Sequence, residues 1–118
     1  MRATDAVGRH GEDAAARFLL DAGWTILERN WRGTRGELDL VALDGPELVA
    51  VEVKTRRSTA FGHPAEAVTA RKLARIRRLT AEWLHTHDVR PASVRVDVIA
   101  VRLTGRGPAQ LEHLVGVV

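Results

Sequence analysis

The sequence predicts a single α/β domain, bordering on α+β, in which helices flank a central mixed sheet. Two segments show the helical spacing of apolar residues, five others are typical of strands, and their order is helix, three strands, helix and two strands. A chain of 118 residues suits one domain, here residues 1–118, that can bury a substantial core.

The first helix is predicted over residues 9–22, after a loose start over residues 1–8, and Gly23 is a suitable C-terminal stop. The apolar positions with helical spacing are Ala15, Phe18, Leu19 and Ala22. Glu12 lies on the inward side of this helix, where a carboxylate is costly unless it has a partner. The attraction of a helix N-terminus for negative charge is one explanation of its position.

A first strand is predicted over residues 24–31, and a loop over residues 31–36 follows it. The loop carries Arg32 and Arg35 beside an aromatic residue, Trp31. Such a loop can bind phosphate and stack on a base, or it can be a plain solvated turn. The residues leave both interpretations open.

The stretch from Arg35 to Arg57 predicts a β-hairpin, because two runs of alternating apolar residues are joined by the turn formers of residues 44–47. The predicted cross-strand pairs are Leu43 with Leu48, Ala42 with Val49, Leu40 with Val51, Asp39 with Glu52, Leu38 with Val53 and Glu37 with Lys54. Four charged residues then share one face at the open end, and the other face is wholly apolar. A one-residue slip would scramble the apolar face, so burial favours this register.

Asp39 and Glu52 are the chemically distinctive pair of this hairpin. Carboxylates opposite each other, with Cβ atoms about 5 Å apart, repel and weaken a sheet. A divalent cation removes that cost, and Mg²⁺ is typically held by one or two carboxylates with waters and phosphate oxygens. Lys54 would place an ammonium beside the cation. The alternative is a solvent-facing hairpin of mixed charges, in which Glu37 and Lys54 form an ordinary cross-strand pair.

The second helical segment is predicted over residues 64–87, broken near Thr69, which can cap a main helix that starts at Ala70. Its buried stripe is Leu73, Ile76, Leu79, Thr80, Trp83 and Leu84. Another face is almost entirely basic over eight residues, which favours contact with phosphate over a merely solvated surface. The predicted nucleic-acid-binding residues are Arg32, Arg35, Arg56, Arg57, Arg71, Lys72, Arg75 and Arg78.

The remaining chain predicts two strands. Arg90-Pro91 ends the helix, and valines alternate with Arg95 and Asp97 in a long strand that reaches Val101. We expect Asp97 to be a salt-bridge partner rather than a metal ligand. The last strand, residues 111–118, is predicted at an edge of the sheet.

Composition excludes several classes of protein. No apolar run approaches the roughly 20 residues of a membrane helix, and the N-terminus lacks the apolar region of a signal peptide, so we expect a cytoplasmic protein without a membrane partner. The chain has no cysteine, which excludes disulfides and thiolate metal sites. Of 18 basic residues, Lys54 and Lys72 are the only lysines. A guanidinium is no substitute for a compact ammonium beside a carboxylate pair, so this choice supports a special role for Lys54.

Asp39 followed by Glu52-Val53-Lys54 resembles the signature of the PD-(D/E)XK nuclease superfamily. A longer pattern, over nearly the whole chain, is similar to the YraN family, small bacterial proteins described as endonuclease-like and related to the archaeal Holliday-junction resolvases. The matching segments are Gly11-Glu12, Asn30-Trp31-Arg32, Gly36 to Ala42, Val51 to Arg56 and Phe61-Gly62-His63-Pro64.

The resemblance implies a restriction-endonuclease-like αβββαβ core and metal-dependent cleavage of phosphodiester bonds, with branched or structured DNA among the substrates. It implies that Asp39, Glu52, the backbone carbonyl of Val53 and Glu12 hold Mg²⁺ or Mn²⁺. Lys54 joins the three carboxylates as a catalytic residue that orients water or offsets charge on the phosphoryl group. His63 is expected to be a loop residue, with a proton shuttle as the alternative.

Two other functions stay open on the sequence. One is a nucleic-acid-binding module with the same fold that does not cleave, and the other is a protein-interaction subunit in which the hairpin charges form an ion-pair lattice. For a nucleic-acid partner we expect DNA in preference to RNA, and a homodimer is left open.

Overall fold

The computed structural model describes residues 3–57 and 68–117, which form two helices and a five-stranded mixed sheet. In chain order the elements are α1 (Ala3–Asp21), β1 (Thr25–Gly33), β2 (Gly36–Asp44), β3 (Glu47–Arg56), α2 (Ala70–Thr86), β4 (Ser93–Arg102) and β5 (Gln110–Leu114). This arrangement confirms the predicted fold class and is consistent with an αβββαβ core. Within the described ranges, neither helix is long and apolar enough to cross a membrane.

The strands lie in the order β1-β2-β3-β4-β5, and only β3 and β4 are parallel. Parallel neighbours need a crossover connection, which α2 provides. Three of the predicted hairpin pairs are observed, Leu40 with Val51, Ala42 with Val49 and Leu43 with Leu48, so the register of this part of the hairpin is confirmed. The turn itself is two residues shorter than expected, because Asp44 and Glu47 are paired and Gly45 takes the positive φ of 59° that a tight turn requires.

Each face of the sheet has its own hydrophobic core, with α1 on one face and α2 on the other. The buried residues on the α1 side are Ala15, Ala16, Leu19, Leu40, Val49, Val51, Ile99 and Val101. Those on the α2 side are Leu38, Val41, Leu48, Ala50, Leu73, Ile76, Leu79, Trp83 and Val96. Because side chains of a strand alternate between faces, Glu52 follows Leu48 and Ala50 on the α2 side.

The three pairs predicted for the open end of the hairpin are absent from the observed strand register. Leu38 packs on the α2 side, whereas Val53 packs against the α1-side cluster, so the two do not share an apolar face. Beyond Leu40 and Val51 the regular pairing stops, and the carboxylate of Asp39 accepts the hydrogen bond from the Val53 amide at 2.9 Å. A side chain thus replaces a backbone acceptor, and the two strands separate at this end.

Three boundaries and the position of one side chain differ from the prediction. The last strand, predicted over residues 111–118, ends at Leu114. Helix α1 begins at Ala3, so residues 3–8 are helical instead of a loose start, since a polar first turn weakens the apolar period without preventing a helix. Strand β1 continues to Gly33 and pairs with β2 up to Gly36, so most of the expected loop is strand. Phe18, predicted to face the core, is 39% exposed and contacts His113 edge to face.

The second helix begins where expected. Thr69 is its N-cap, and its hydroxyl accepts a hydrogen bond from the Lys72 amide at 3.2 Å. Five of the six predicted stripe residues are buried, and the sixth, Leu84, is partly buried. The expected helical turn over residues 64–67 and the loop with His63 lie outside the described residues.

Asp97 is an ion-pair partner, as predicted. It is fully buried, receives two hydrogen bonds from Arg95 at 2.8 and 3.0 Å, and also bonds His113 and the amide of Gly116. Burial raises the pKa of Asp97, but these hydrogen bonds outweigh it and hold the pKa below its usual value. This cluster fixes β5 and the C-terminal segment to β4.

Gly11 sets the distance between α1 and β3. A Cβ on Gly11 would lie 1.8 Å from Oγ1 of Thr55, so only glycine permits this approach of the helix to the strand. The close contact also brings the next residue, Glu12, to the level of Asp39.

We expect Gly11→Ala to destabilise the protein by about 1–3 kcal/mol, because the added methyl group must push α1 away from Thr55. Gly8→Ala is the matched control, since a Cβ there meets no atom within 4 Å. It should stabilise the helix by up to about 1 kcal/mol through alanine's higher helix propensity. Urea unfolding measures both, and equal stabilities of the two variants would contradict the packing explanation.

Candidate metal and nucleic-acid site

Three carboxyl groups meet where β2 and β3 separate: Glu12 of α1, Asp39 of β2 and Glu52 of β3. Asp39 interacts electrostatically with both glutamates, and its carboxyl group also hydrogen-bonds that of Glu52. The backbone amide of Val53 fixes Asp39 from the other strand. Asp39 is therefore close to both glutamates, while the role of the three residues as one site stays a prediction.

Burial and mutual repulsion keep a proton on this cluster. Burial, followed by the negative charge of Asp39, raises the pKa of Glu52 to about 8. Burial also raises the pKa of Asp39, although the hydrogen bond from Val53 opposes this shift. Since the two groups share one site, the pair holds a proton near neutral pH, and Glu52 carries it.

Three cations near Glu52 offset only part of the pKa increase that burial and Asp39 cause. Lys72 and Arg75 of α2 and Lys54 of β3 lower the pKa of Glu52, in that order of effect. Lys54 also acts on Asp39. Lys54 thus lies on the predicted face, close enough to influence both carboxyl groups.

Glu12 is the least satisfied member of the cluster. Its Oε1 atom is buried and has no hydrogen-bond partner within the described part of the chain. Burial, and then Asp39, raises the pKa of Glu12, while a hydrogen bond from the Asn30 side chain lowers it. An orphaned buried oxygen requires an explanation, and a bound cation would supply one.

The sequence analysis missed the role of Asn30. This residue has a positive φ of 52°, a conformation that asparagine tolerates better than most residues. The bend directs its side chain to Glu12. The sequence did contain a signal: Asn30 lies within a predicted strand, in a segment that resembles the YraN family.

The residues fit Mg²⁺ or Mn²⁺ by chemical type. All the side-chain donors are carboxylate oxygens, which these cations prefer. Residues 3–57 and 68–117 contain no group of three or more His, Asp or Glu side chains arranged as a ready metal site. Two carboxylates with water and phosphate oxygens are sufficient for Mg²⁺, so Asp39 and Glu52 are the minimal pair. The assignments of Asp39, Glu52, Glu12 and the Val53 carbonyl as ligands all stay predictions.

Glu37 does not pair with Lys54. It accepts a hydrogen bond from Arg32 at 2.6 Å, across the β1–β2 pair in which these two residues are opposite each other. The ordinary cross-strand explanation of the hairpin charges is therefore wrong. Arg32 is engaged in this ion pair instead of facing the predicted nucleic-acid surface.

A basic groove of about 700 Å³ lies between α2 and the β1–β2 turn. The residues that line it are Thr34, Arg35, Thr69, Arg71, Lys72, Arg75, Arg78, Leu79 and Glu82. Its Lys72 and Arg75 are the same side chains that act on Glu52, so the groove adjoins the carboxyl cluster. We call it the α2 groove.

The other predicted nucleic-acid-binding residues lie elsewhere. Arg56 ends β3 beside Arg102 of β4. Arg57 lines a separate concavity with His10 of α1 and the segment that joins β4 to β5. The structure thus brings five of the eight predicted basic residues into one groove, and sequence spacing alone identifies the α2 members because they share one helical face.

The amino-acid sequence matches the family described as "Uncharacterised protein family UPF0102" over residues 11–101. The chain belongs to UPF0102. This membership confirms the resemblance to the YraN family. The matched range contains all three carboxyl groups and the whole α2 groove.

Full-length relatives support the same family. The UPF0102 protein of Beutenbergia cavernae is 60% identical over 117 residues, which are 99% of each chain. That of Kineococcus radiotolerans is 57% identical over 118 residues, covering 99% of this chain and 97% of the relative. That of an Arthrobacter species is 53% identical over 117 residues, 99% of each chain.

In EDTA, we expect the stability of this UPF0102 protein to fall as the pH rises from about 4.5 to about 8, because Glu52 stays protonated in the folded state over this range. The unfolded chain has released that proton, so rising pH favours unfolding. Glu52→Gln cannot titrate and should lose this part of the slope. Urea unfolding of both proteins across the range measures it, and identical slopes would contradict the shared proton.

The same experiment with Mn²⁺ tests the cation. A cation must displace the proton from Glu52, so its stabilising effect on the wild type should increase with pH. Glu52→Gln should gain much less stability. A wild type that Mn²⁺ does not stabilise at about pH 8 would argue against a metal site.

Proposed function

We propose that this protein is a metal-dependent nuclease that hydrolyses phosphodiester bonds in nucleic acid, DNA in preference to RNA. The observation that carries the proposal is the half-buried carboxyl pair of Asp39 and Glu52, in which both pKa values are raised, with Lys54 beside it, at the end of a groove lined by basic residues. Two carboxyl groups this close together do not stabilise a strand pair, so their presence favours a site that binds a ligand.

Each residue of the site has a role in this proposal. Asp39 and Glu52 would hold Mg²⁺ or Mn²⁺, together with the Val53 carbonyl and Glu12. The chemistry supplied on binding is polarisation of the phosphate and a lowered pKa of bound water. The Lys54 ammonium would hold the attacking water by a hydrogen bond and offset the negative charge that develops on the phosphoryl oxygens.

The α2 groove would bind the backbone of the substrate. Arginine pairs with phosphate in a bidentate geometry, and such contacts fix the position of the nucleic acid without reading its sequence. The groove therefore supports binding of many sequences, and the carboxyl cluster at its end determines where cleavage occurs.

A second candidate is a nucleic-acid-binding module that does not cleave. It is favoured by one observation, the lack of a ready three-carboxylate metal site in the described residues. A protein-interaction subunit based on an ion-pair lattice has less support, because Asp39 and Glu52 repel each other instead of forming ion pairs.

Cleavage assays on single-stranded, nicked and branched DNA, with Mn²⁺ or with EDTA, separate the two functions. We expect Asp39→Asn, Glu52→Gln and Lys54→Ala each to reduce metal-dependent cleavage by about 100-fold or more. Their combination should cost little more than one change, since they act as a unit. Glu12→Gln should have an equal or smaller effect.

The matched control is Glu37→Gln, which removes a carboxylate from the same strand, two residues from Asp39. It breaks the pair with Arg32 and removes a negative charge that raises the pKa of Asp39, but it changes no proposed metal ligand. It should keep metal-dependent cleavage. Full activity in Glu52→Gln would refute the assignment, and metal-independent binding without cleavage would favour the binding module.

The groove makes a separate prediction. The triple change of Arg71, Arg75 and Arg78 to alanine should weaken binding to all sequences alike, and each lost phosphate contact should reduce the log–log salt slope by about 0.9 for duplex DNA. Arg77→Ala is the control on the same helix, because Arg77 lines a different concavity beside β4. A triple variant with an unchanged slope would show that the groove does not bind phosphate.

A further inference from the structure

The α2 groove contains an acidic side chain, Glu82, that would repel an anionic ligand. Glu82 lies four residues after Arg78 on α2, a spacing that favours an ion pair. Instead, its Oε1 accepts a hydrogen bond from the Thr34 amide at 2.8 Å, and its Oε2 accepts one from the Thr34 hydroxyl at 2.9 Å. Across residues 3–57 and 68–117, no ion pair joins Glu82 to a groove cation.

The Thr34 contact holds the turn between β1 and β2. Thr34 and Arg35 are the two turn residues, since Gly33 and Gly36 on either side are paired. The turn lies directly on α2: a Cβ on Gly33 would be 2.8 Å from Cδ2 of Leu79, and one on Gly36 would be 3.8 Å from Cδ of Arg75. The turn therefore forms one wall of the groove and α2 forms the other.

We propose that Glu82 is a positioning residue, which fixes the β1–β2 turn so that Arg35 binds backbone phosphate from the wall opposite Arg75 and Arg78. The inference rests on the proposed nucleic-acid function. An unanchored turn would lose ordering entropy on binding, and Glu82 removes that cost in advance. Because both carboxylate oxygens of Glu82 accept hydrogen bonds from Thr34, Glu82 does not engage the groove arginines in ion pairs, and these arginines stay available to bind the ligand.

This role predicts the opposite sign from simple electrostatics. If Glu82 only repels the ligand, then any neutral residue in its place strengthens binding. If Glu82 positions the turn, then binding weakens when the hydrogen bonds to Thr34 are lost, even when the charge of the groove is unchanged. Thr34→Val removes one of the two hydrogen bonds, that from the hydroxyl to Oε2, and leaves the amide bond and every charge in place.

The experiment measures dissociation constants for a short labelled duplex DNA in EDTA, so that cleavage plays no part. We expect Thr34→Val to bind about 3- to 10-fold more weakly, the effect of losing a hydrogen bond to a charged group. Glu82→Ala should bind more weakly than Glu82→Gln, although both remove the same charge, because glutamine keeps an oxygen that can accept from Thr34. Thr86→Val, which removes a hydroxyl from the last turn of α2, should bind like the wild type.

A test through Arg35 distinguishes positioning from a general loss of structure. In an Arg35→Ala background, Thr34→Val should have little further effect on binding, because the two changes act on the same contact. Unfolding curves establish that each variant is folded.

Three results overturn the inference: wild-type affinity in Thr34→Val, equal and stronger binding by Glu82→Ala and Glu82→Gln, or an undiminished effect of Thr34→Val without Arg35. A wild type that binds no DNA at low salt overturns the nucleic-acid proposal and this inference with it. Binding without cleavage overturns the nuclease activity alone.

Discussion

The hydrogen bond from the Val53 amide to the Asp39 carboxylate is the interaction on which the site depends. It replaces a backbone contact between β2 and β3, the regular pairing of the two strands stops at this point, and Glu12 of α1 interacts electrostatically with Asp39. Burying Asp39 beside Glu52 costs free energy through desolvation and repulsion. The surrounding structure keeps these groups half-buried, and the nearby cations offset the cost of that burial only in part.

The two ends of the same hairpin use charge in opposite ways. At the closed end, Asp44 and Glu47 both bond Arg95, which also holds Asp97, so every carboxylate there has a cationic partner. The hydrogen bonds that Asp97 accepts hold its pKa below the usual value, and this network of ion pairs holds the strands together. At the open end the carboxyl groups face each other and their pKa values rise. Carboxylates that have cationic partners thus stabilise the sheet, whereas carboxyl groups without such partners in the described part of the chain lie at the candidate site.

Much of this arrangement could be predicted from sequence, because it depends on short-range periodicity. Alternation along β2 and β3 predicts which carboxylates share a face, and Thr69 predicts the start of α2. The features that could not be predicted depend on contacts between distant segments. The side of the sheet that Leu38 covers follows from how the strands separate, and the use of Glu82 by Thr34 joins residues 48 positions apart. A local pattern holds no information about such contacts.

The distribution of lysine and arginine gains a physical explanation from the structure. The chain uses arginine for all but two of its basic residues, and the charges of both lysines, Lys54 and Lys72, act on Glu52. Lys54 lies on β3, and Lys72 lies in the first turn of α2. An ammonium is compact and can be displaced by a metal or a phosphate, whereas an arginine fork would grip a carboxylate in a bidentate pair. The two lysines, with Arg75, lower the pKa of Glu52 and so favour its ionised form, and among the described residues none of them forms an ion pair with it, which leaves the carboxylate available to a cation.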